Sequence, residues 1–160
     1  MLLTEEESRF FRGCVRELLQ NRDVRSMSSF VQHGNVSTLE HCVSVAYISF
    51  EIGKRLPLRV DFRSLIRGAV LHDFFLYDWH VGSGRKELHA FAHPRTALRN
   101  AEARFRLNDC ERDVILRHMW PLTPAPPRCP EAWIVGAADK YCSLIETLSK
   151  RPAVALRPFL

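Results

Sequence analysis

The chain has no C-x-x-C pair among its five cysteines, Cys14, Cys42, Cys110, Cys129 and Cys142. An odd, scattered set of this kind excludes a disulfide framework and a structural zinc knuckle. It is read as buried thiols in a reducing cytosol. No apolar run approaches the length that spans a bilayer, and the opening stretch "MLLTEEESRFF" is too acidic for a secretory signal peptide. A cytoplasmic location away from any membrane is therefore expected. The sequence also lacks the interleaved basic and aromatic stripe that single-strand nucleic-acid binders use. Its formal charge of +5 suits anionic ligands, phosphate esters among them, without implying nucleic acid, because surface Lys and Arg also serve solubility. There is no internal repeat, no convincing strand beyond a short hairpin, and no second domain. At 160 residues, 46% apolar and 26% charged, the chain has the length and balance of one compact domain.

What is present reads as helix. Thr4 caps a first helix that opens on Glu5, Glu6 and Glu7 and carries Phe10, Phe11, Val15, Leu18 and Leu19 at helical spacing. A short helix is expected over about 24–31, and the turn "HGNVS" follows. Ser37 or Thr38 then caps a helix that runs to about Arg55. Asp61 caps the next, in which Leu65, Ile66, Ala69, Val70 and Leu71 lead up to His72. "FFLYDWHVGSGRKELHAFA" reads as a long connection, and Pro94 as the first turn of another helix. Asn108 or Asp109 caps "CERDVILRHM". The proline-rich "WPLTPAPPRCP" is not helical, and a last helix spans about 131–148. The expected fold is all-α: a single-domain helical bundle over residues 1–150, its core motif region at about 30–148, with a surface tail over 151–160.

Several strong polar residues fall on apolar faces or at helix ends. They are His41, the adjacent pair His72 and Asp73, His93, His118, and Asp139 inside "WIVGAADKYC". A buried carboxylate is costly unless it is paired or bound to a metal. The intervals of 31, 20, 25 and 21 residues (41 to 72, 73 to 93, 93 to 118, 118 to 139) are each about one helix hairpin. In a bundle such side chains can return to a common centre. Imidazole and carboxylate donors suit Fe, Mn, Zn, Co or Ni. Four His and two Asp exceed the needs of one tetrahedral ion. One or two divalent ions are expected, and Asp73 is placed to bridge a pair. His80 and His89, in the long connection, are given no metal role. Each ligand taken singly has a structural alternative; Asp139, for instance, could be half-exposed and paired with Lys140. The case rests on the set.

This ordered set resembles the HD-domain metal-dependent phosphohydrolase superfamily, named for its His-Asp doublet. His41 in "EHCVSVA" is similar to the first family histidine, "LHD" at 71–73 to the doublet, and "ADK" at 138–140 to the closing Asp. His93 and His118 resemble the extra histidines of the subset that binds two metals. The resemblance covers about residues 30–148. It implies an all-α bundle and hydrolysis of a phosphomonoester, phosphodiester or nucleotide, with Asp73 bridging the ions and helping to orient the nucleophile. The chain has no "GYP" element, and "FFLYDW" follows the doublet in place of an "IGK"-like sequence. The substrate is therefore not carried over from either of those branches.

Other residues are candidates around such a site. A bound metal supplies hydroxide near neutral pH. Lys140 is placed to neutralise phosphate, or else to pair with Asp139 or end in solvent. His33, beside a Gly34 that permits a tight turn, is placed to contact substrate or give a proton to the leaving group, or to serve the turn alone. Arg95, two residues past His93, is placed to bind phosphate at a helix N-terminus, an exposed Arg being the alternative. Asp78 is a candidate substrate contact or supporting acid. The expected partner is a small phosphorylated substrate, nucleotides included. A metal-dependent nucleotide- or phosphate-binding sensor without turnover is the competing function. A purely structural adaptor leaves the ligand set unexplained.

Overall fold

The computed structural model describes residues 3–78 and 86–155, with the side chains of 86–90 outside the description. Its α-helices are α1 (Glu5–Leu19), α2 (Arg22–Ser26), α3 (Thr38–Arg55), α4 (Phe62–Leu71), α5 (Lys86–Glu102), α6 (Asp109–Arg117) and α7 (Pro130–Ser149). A two-strand hairpin, β1 (Val31–His33) and β2 (Val36–Ser37), precedes α3. No described helix is long and apolar enough to cross a membrane.

Local chemistry sets the helix starts. Thr4, Ser37 and Asn108 each accept a hydrogen bond from the backbone N–H three residues on. Glu7, Glu40 and Glu111 reach back to the capping residue's own N–H. Each is a complete capping box, which satisfies two otherwise orphaned donors. Asp61 caps α4 through bonds from Arg63 and Ser64 N–H. Pro130 begins α7, where its missing N–H costs nothing.

Helix α3 packs against α4 and α7, α4 against α6, α6 against α7, and α5 against α6; α1 covers α4. Val43, Ala46, Leu65, Ile66, Val70, Val114, Ile115 and Val135 are fully buried between them, with Phe11 and Leu18 of α1. One crossing bears directly on function. A Cβ added at Gly68 would stand 2.9 Å from the Val114 side chain, so α4 and α6 meet there at backbone range. Gly68 lies one turn before His72, and Val114 one turn before His118. The close crossing therefore brings those two helix ends together.

Three sequence expectations change. The 24–31 helix stops at Ser26, passes through a 3₁₀ turn and becomes strand β1. The Ser26 and Ser28 hydroxyls donate to carbonyls three residues back, which competes with helix, and β-branched Val31 suits a strand. Pro94 is inside α5 rather than at its start. The stretch "KELHAFA" before it is made largely of good helix formers, and the helix continues through the proline. The long connection is therefore shorter than read, and Arg95 is exposed within a helix, not at a helix N-terminus. Third, the cysteines are not all buried and scattered. Cys14, Cys42 and Cys142 are buried, while Cys110 and Cys129 are half-buried and 3.2 Å apart at sulfur. The tail turns back, and Ala153 and Val154 pack on the core; residues 156–160 lie outside the description.

Candidate metal centre

His41, His72, Asp73, His93, His118 and Asp139 come from α3, the end of α4, α5, the end of α6 and α7, and all six are buried. The structure brings them together. His72 and His118 are the C-cap residues of α4 and α6. Each Nδ1 lies on the carbonyl three residues back, His72 on Ala69 at 2.7 Å and His118 on Ile115 at 2.9 Å. A carbonyl only accepts, so each Nδ1 carries the hydrogen and donates it. In the neutral ring, Nε2 then keeps its lone pair and points inward. The two rings stand 4.8 Å apart.

Asp73 sits between two sets of nitrogens. Its Oδ2 is 3.4 Å from His72 Nε2 and 3.9 Å from His41 Nε2. Its Oδ1 is 3.2 Å from His93 Nε2 and 3.6 Å from His118 Nε2. Asp139 Oδ1 lies 3.1 Å from His41 Nε2 and 3.6 Å from His72 Nε2. Ligand atoms of His41, His72 and Asp139 all lie within 4.8 Å of one another, as do those of His72, Asp73 and His118. His93 joins the second group through His118, with the two Nε2 atoms 2.9 Å apart.

Three observations fit this donor set to divalent metal. His72 Nε2 and Asp73 Oδ1 are buried and make no well-aligned hydrogen bond among the described residues, only close contacts with other atoms of the cluster. The His118 Nε2 lone pair faces a second imidazole nitrogen across 2.9 Å, which a shared cation would satisfy. The donors are all imidazole and carboxylate, as first-row divalent ions prefer. Electrostatics agree. Burial alone would push His41 down, but hydrogen bonds to Asp139 and Glu146 outweigh it and raise its pKa to about 10. Burial, with the charges of His72 and His93, pushes His118 down to about 3. Burial pushes Asp73 up, and the charges of His72 and His93 overcome this and hold it well below the ordinary carboxylate range. The carboxylates are thus ionised, and positive charge collects beside them.

Residues that the sequence reading missed hold these side chains in place. Glu146, fully buried, accepts from His41 Nδ1 at 2.7 Å. Its other oxygen accepts from Ala153 N–H at 3.3 Å, so the tail helps to fix it. Glu146 lies seven residues after Asp139, on the same face of α7; that spacing was the available signal. Gln32 Nε2 donates to Asp73 Oδ2 at 2.6 Å, and Thr38 Oγ1 donates to Gln32 Oε1 at 3.2 Å. Nothing in the sequence marks Gln32, because the hairpin alone carries it there.

The remaining candidates divide. His33 is at the cluster: its Nε2 is 3.2 Å from Ser143 Oγ, which donates to Asp139 at 3.3 Å, and its ring stands 5.3 Å from that of His41. Burial, with the charge on His41, lowers its pKa. Gly34 beside it adopts φ +59°, as the tight turn requires. Lys140 turns elsewhere, its Nζ donating to the carbonyls of His118 at 3.0 Å and Gly136 at 3.1 Å; it does not pair with Asp139. Asp78 and Arg95 are exposed. His80 and the His89 side chain lie outside the described residues.

No curated protein and no solved structure matches the chain. The family model of the HD domain matches residues 38–144, two thirds of the length, and takes in every one of the six converging side chains. The doublet at the end of α4 is the one for which that family is named, and the chain belongs to the HD domain family.

Proposed function

We propose that the chain hydrolyses a small phosphorylated substrate, a phosphomonoester, phosphodiester or nucleotide, at a centre of two divalent transition-metal ions drawn from Fe, Mn, Co, Ni and Zn. The observation that carries this reading is the placement of Asp73, whose two oxygens face separate pairs of histidine nitrogens. Such ions, when bound, make water nucleophilic near neutral pH and offset the charge of the phosphoryl group. His41, His72, Asp139 and one oxygen of Asp73 would hold the first. His93, His118 and the other oxygen would hold the second.

The chain's own groups set the geometry. Gln32 fixes the rotation of the Asp73 carboxylate, and Glu146 fixes the ring of His41. The carbonyls of Ala69 and Ile115 hold His72 and His118 in the tautomer that aims Nε2 inward. His33 is the substrate-facing group at Asp139, where its Nε2 can exchange Ser143 for a substrate oxygen. Lys140 is a positioning residue that steadies the carbonyl of His118. Arg95 and Asp78, both exposed, are left to contact the outer part of the substrate.

The test is a hydrolysis screen of the full chain loaded with Mn²⁺ or Co²⁺, over aryl phosphates, aryl phosphodiesters and nucleotides. Turnover that needs the metal and stops on chelation is expected. Tight nucleotide binding without hydrolysis of any ester would replace the enzyme with a sensor. Glu146→Gln should weaken metal affinity by about 10- to 100-fold, as loss of a ligand's orienting partner does, read by competition with a chelating dye. Unchanged affinity would remove Glu146 from the centre's support.

A further inference from the structure

A second group of donors meets where helices begin, away from the His-Asp centre. Cys110 is the second residue of α6, Cys129 is the N-cap of α7 and Glu131 is the second residue of α7. Donor atoms of all three lie within 4.8 Å of one another, and the two sulfurs are 3.2 Å apart. Glu131 is 5% exposed and forms no ion pair among the described residues. One of its oxygens accepts from Asp61 N–H at 2.7 Å. Cys129 is held in place by Asp113, whose carboxylate accepts from the N–H groups of Arg128 at 2.7 Å and Cys129 at 3.1 Å.

We propose that Cys110, Cys129 and Glu131 hold a thiophilic divalent cation, zinc first, at a site separate from the His-Asp centre. Two thiolates and a buried carboxylate with no countercharge form a donor set of the kind zinc takes, and three protein ligands leave a fourth position for water. With metal–sulfur bonds of about 2.3 Å, tetrahedral thiolates stand about 3.8 Å apart. The sulfurs need to separate by only about half an ångström from where they are, which half-buried side chains can accommodate by small torsional shifts.

A disulfide is the other chemistry open to this pair. A disulfide would leave the buried Glu131 carboxylate, within 4.8 Å of both sulfurs, without a use, whereas a cation takes all three donors. The bound ion would tie the start of α6 to the start of α7 and so brace the connection that follows His118.

The experiment is a titration of the reduced, metal-free full chain with Co²⁺. A sulfur-to-cobalt charge-transfer band in the near ultraviolet is expected, and Zn²⁺ should abolish it. The His-Asp centre binds through nitrogen and oxygen, so Asp73→Ala should keep the band. Cys110→Ser and Cys129→Ser should each remove it, and Glu131→Gln should weaken Co²⁺ binding at the band by about tenfold or more. In the wild type, Zn²⁺ should protect Cys110 and Cys129 from alkylation, read by peptide mass; this needs no variant to fold. The proposal is overturned by absence of the band at saturating cobalt, by a band unchanged in Cys110→Ser, or by a Cys110–Cys129 disulfide forming in the presence of excess Zn²⁺.

Discussion

Asp73→Ala is expected to lower phosphoester hydrolysis by about a thousandfold or more while the helical circular dichroism stays unchanged. One of its oxygens faces the His41–His72 side and the other the His93–His118 side. Removing the carboxylate removes the bridge and leaves each set short of a ligand. Metal-assisted stabilisation of a phosphoryl transition state is worth several kcal/mol, and each 1.36 kcal/mol is tenfold in rate. The variant should retain fewer ions per chain than the wild type under equal loading. Asp73→Asn separates charge from shape: it can still accept from Gln32 at Oδ1, yet it should fail to hold metal. Full activity in Asp73→Ala would show that hydrolysis occurs elsewhere.

The next residue has the opposite signature. Phe74→Ala should cost about 3–5 kcal/mol of stability, the usual range for truncating a fully buried phenylalanine. Phe74 is 0% exposed, its ring packs near Phe105, and the Arg104 guanidinium lies 5.5 Å from its centroid. Against a total stability of about 5–15 kcal/mol, this is a large share. For a chain of this length it corresponds to a melting temperature lower by about 10 °C. Metal affinity measured on the folded fraction should change far less, because Phe74 donates nothing to the centre. Thermal and chemical unfolding check the first statement, and chelator competition checks the second. A Phe74→Ala protein as stable as wild type would mean that the segment after the doublet is not packed as described.

Local rules recovered the features that local chemistry determines. Thr4 and Asp61 cap their helices through bonds that span two or three residues, so sequence alone marks them; between Ser37 and Thr38, and between Asn108 and Asp109, the bonds fall on Ser37 and Asn108. The converging His-Asp set is legible for a different reason: histidines and aspartates on apolar faces are conspicuous, and their intervals fit helix hairpins. Pro94 misled, because a proline reads as a helix start when nothing shows that the preceding turns are already helical. Gln32 and Glu146 were missed because their partners lie 41 and 105 residues away and only the packed fold brings them together. Lys140 follows Asp139 in sequence, yet its ammonium goes to the carbonyl of His118, a contact set by how α7 lies against the end of α6. Cys110 and Cys129 looked unrelated across their 19-residue gap; the loop between them closes through Asp113.

The most direct test of the metal centre is an anomalous difference map from crystals of the full chain grown in saturating Mn²⁺. One manganese peak is expected on each side of the Asp73 carboxylate, one toward His41, His72 and Asp139 and the other toward His93 and His118. Manganese-saturated crystals with no peak within coordination reach of Asp73 would contradict it.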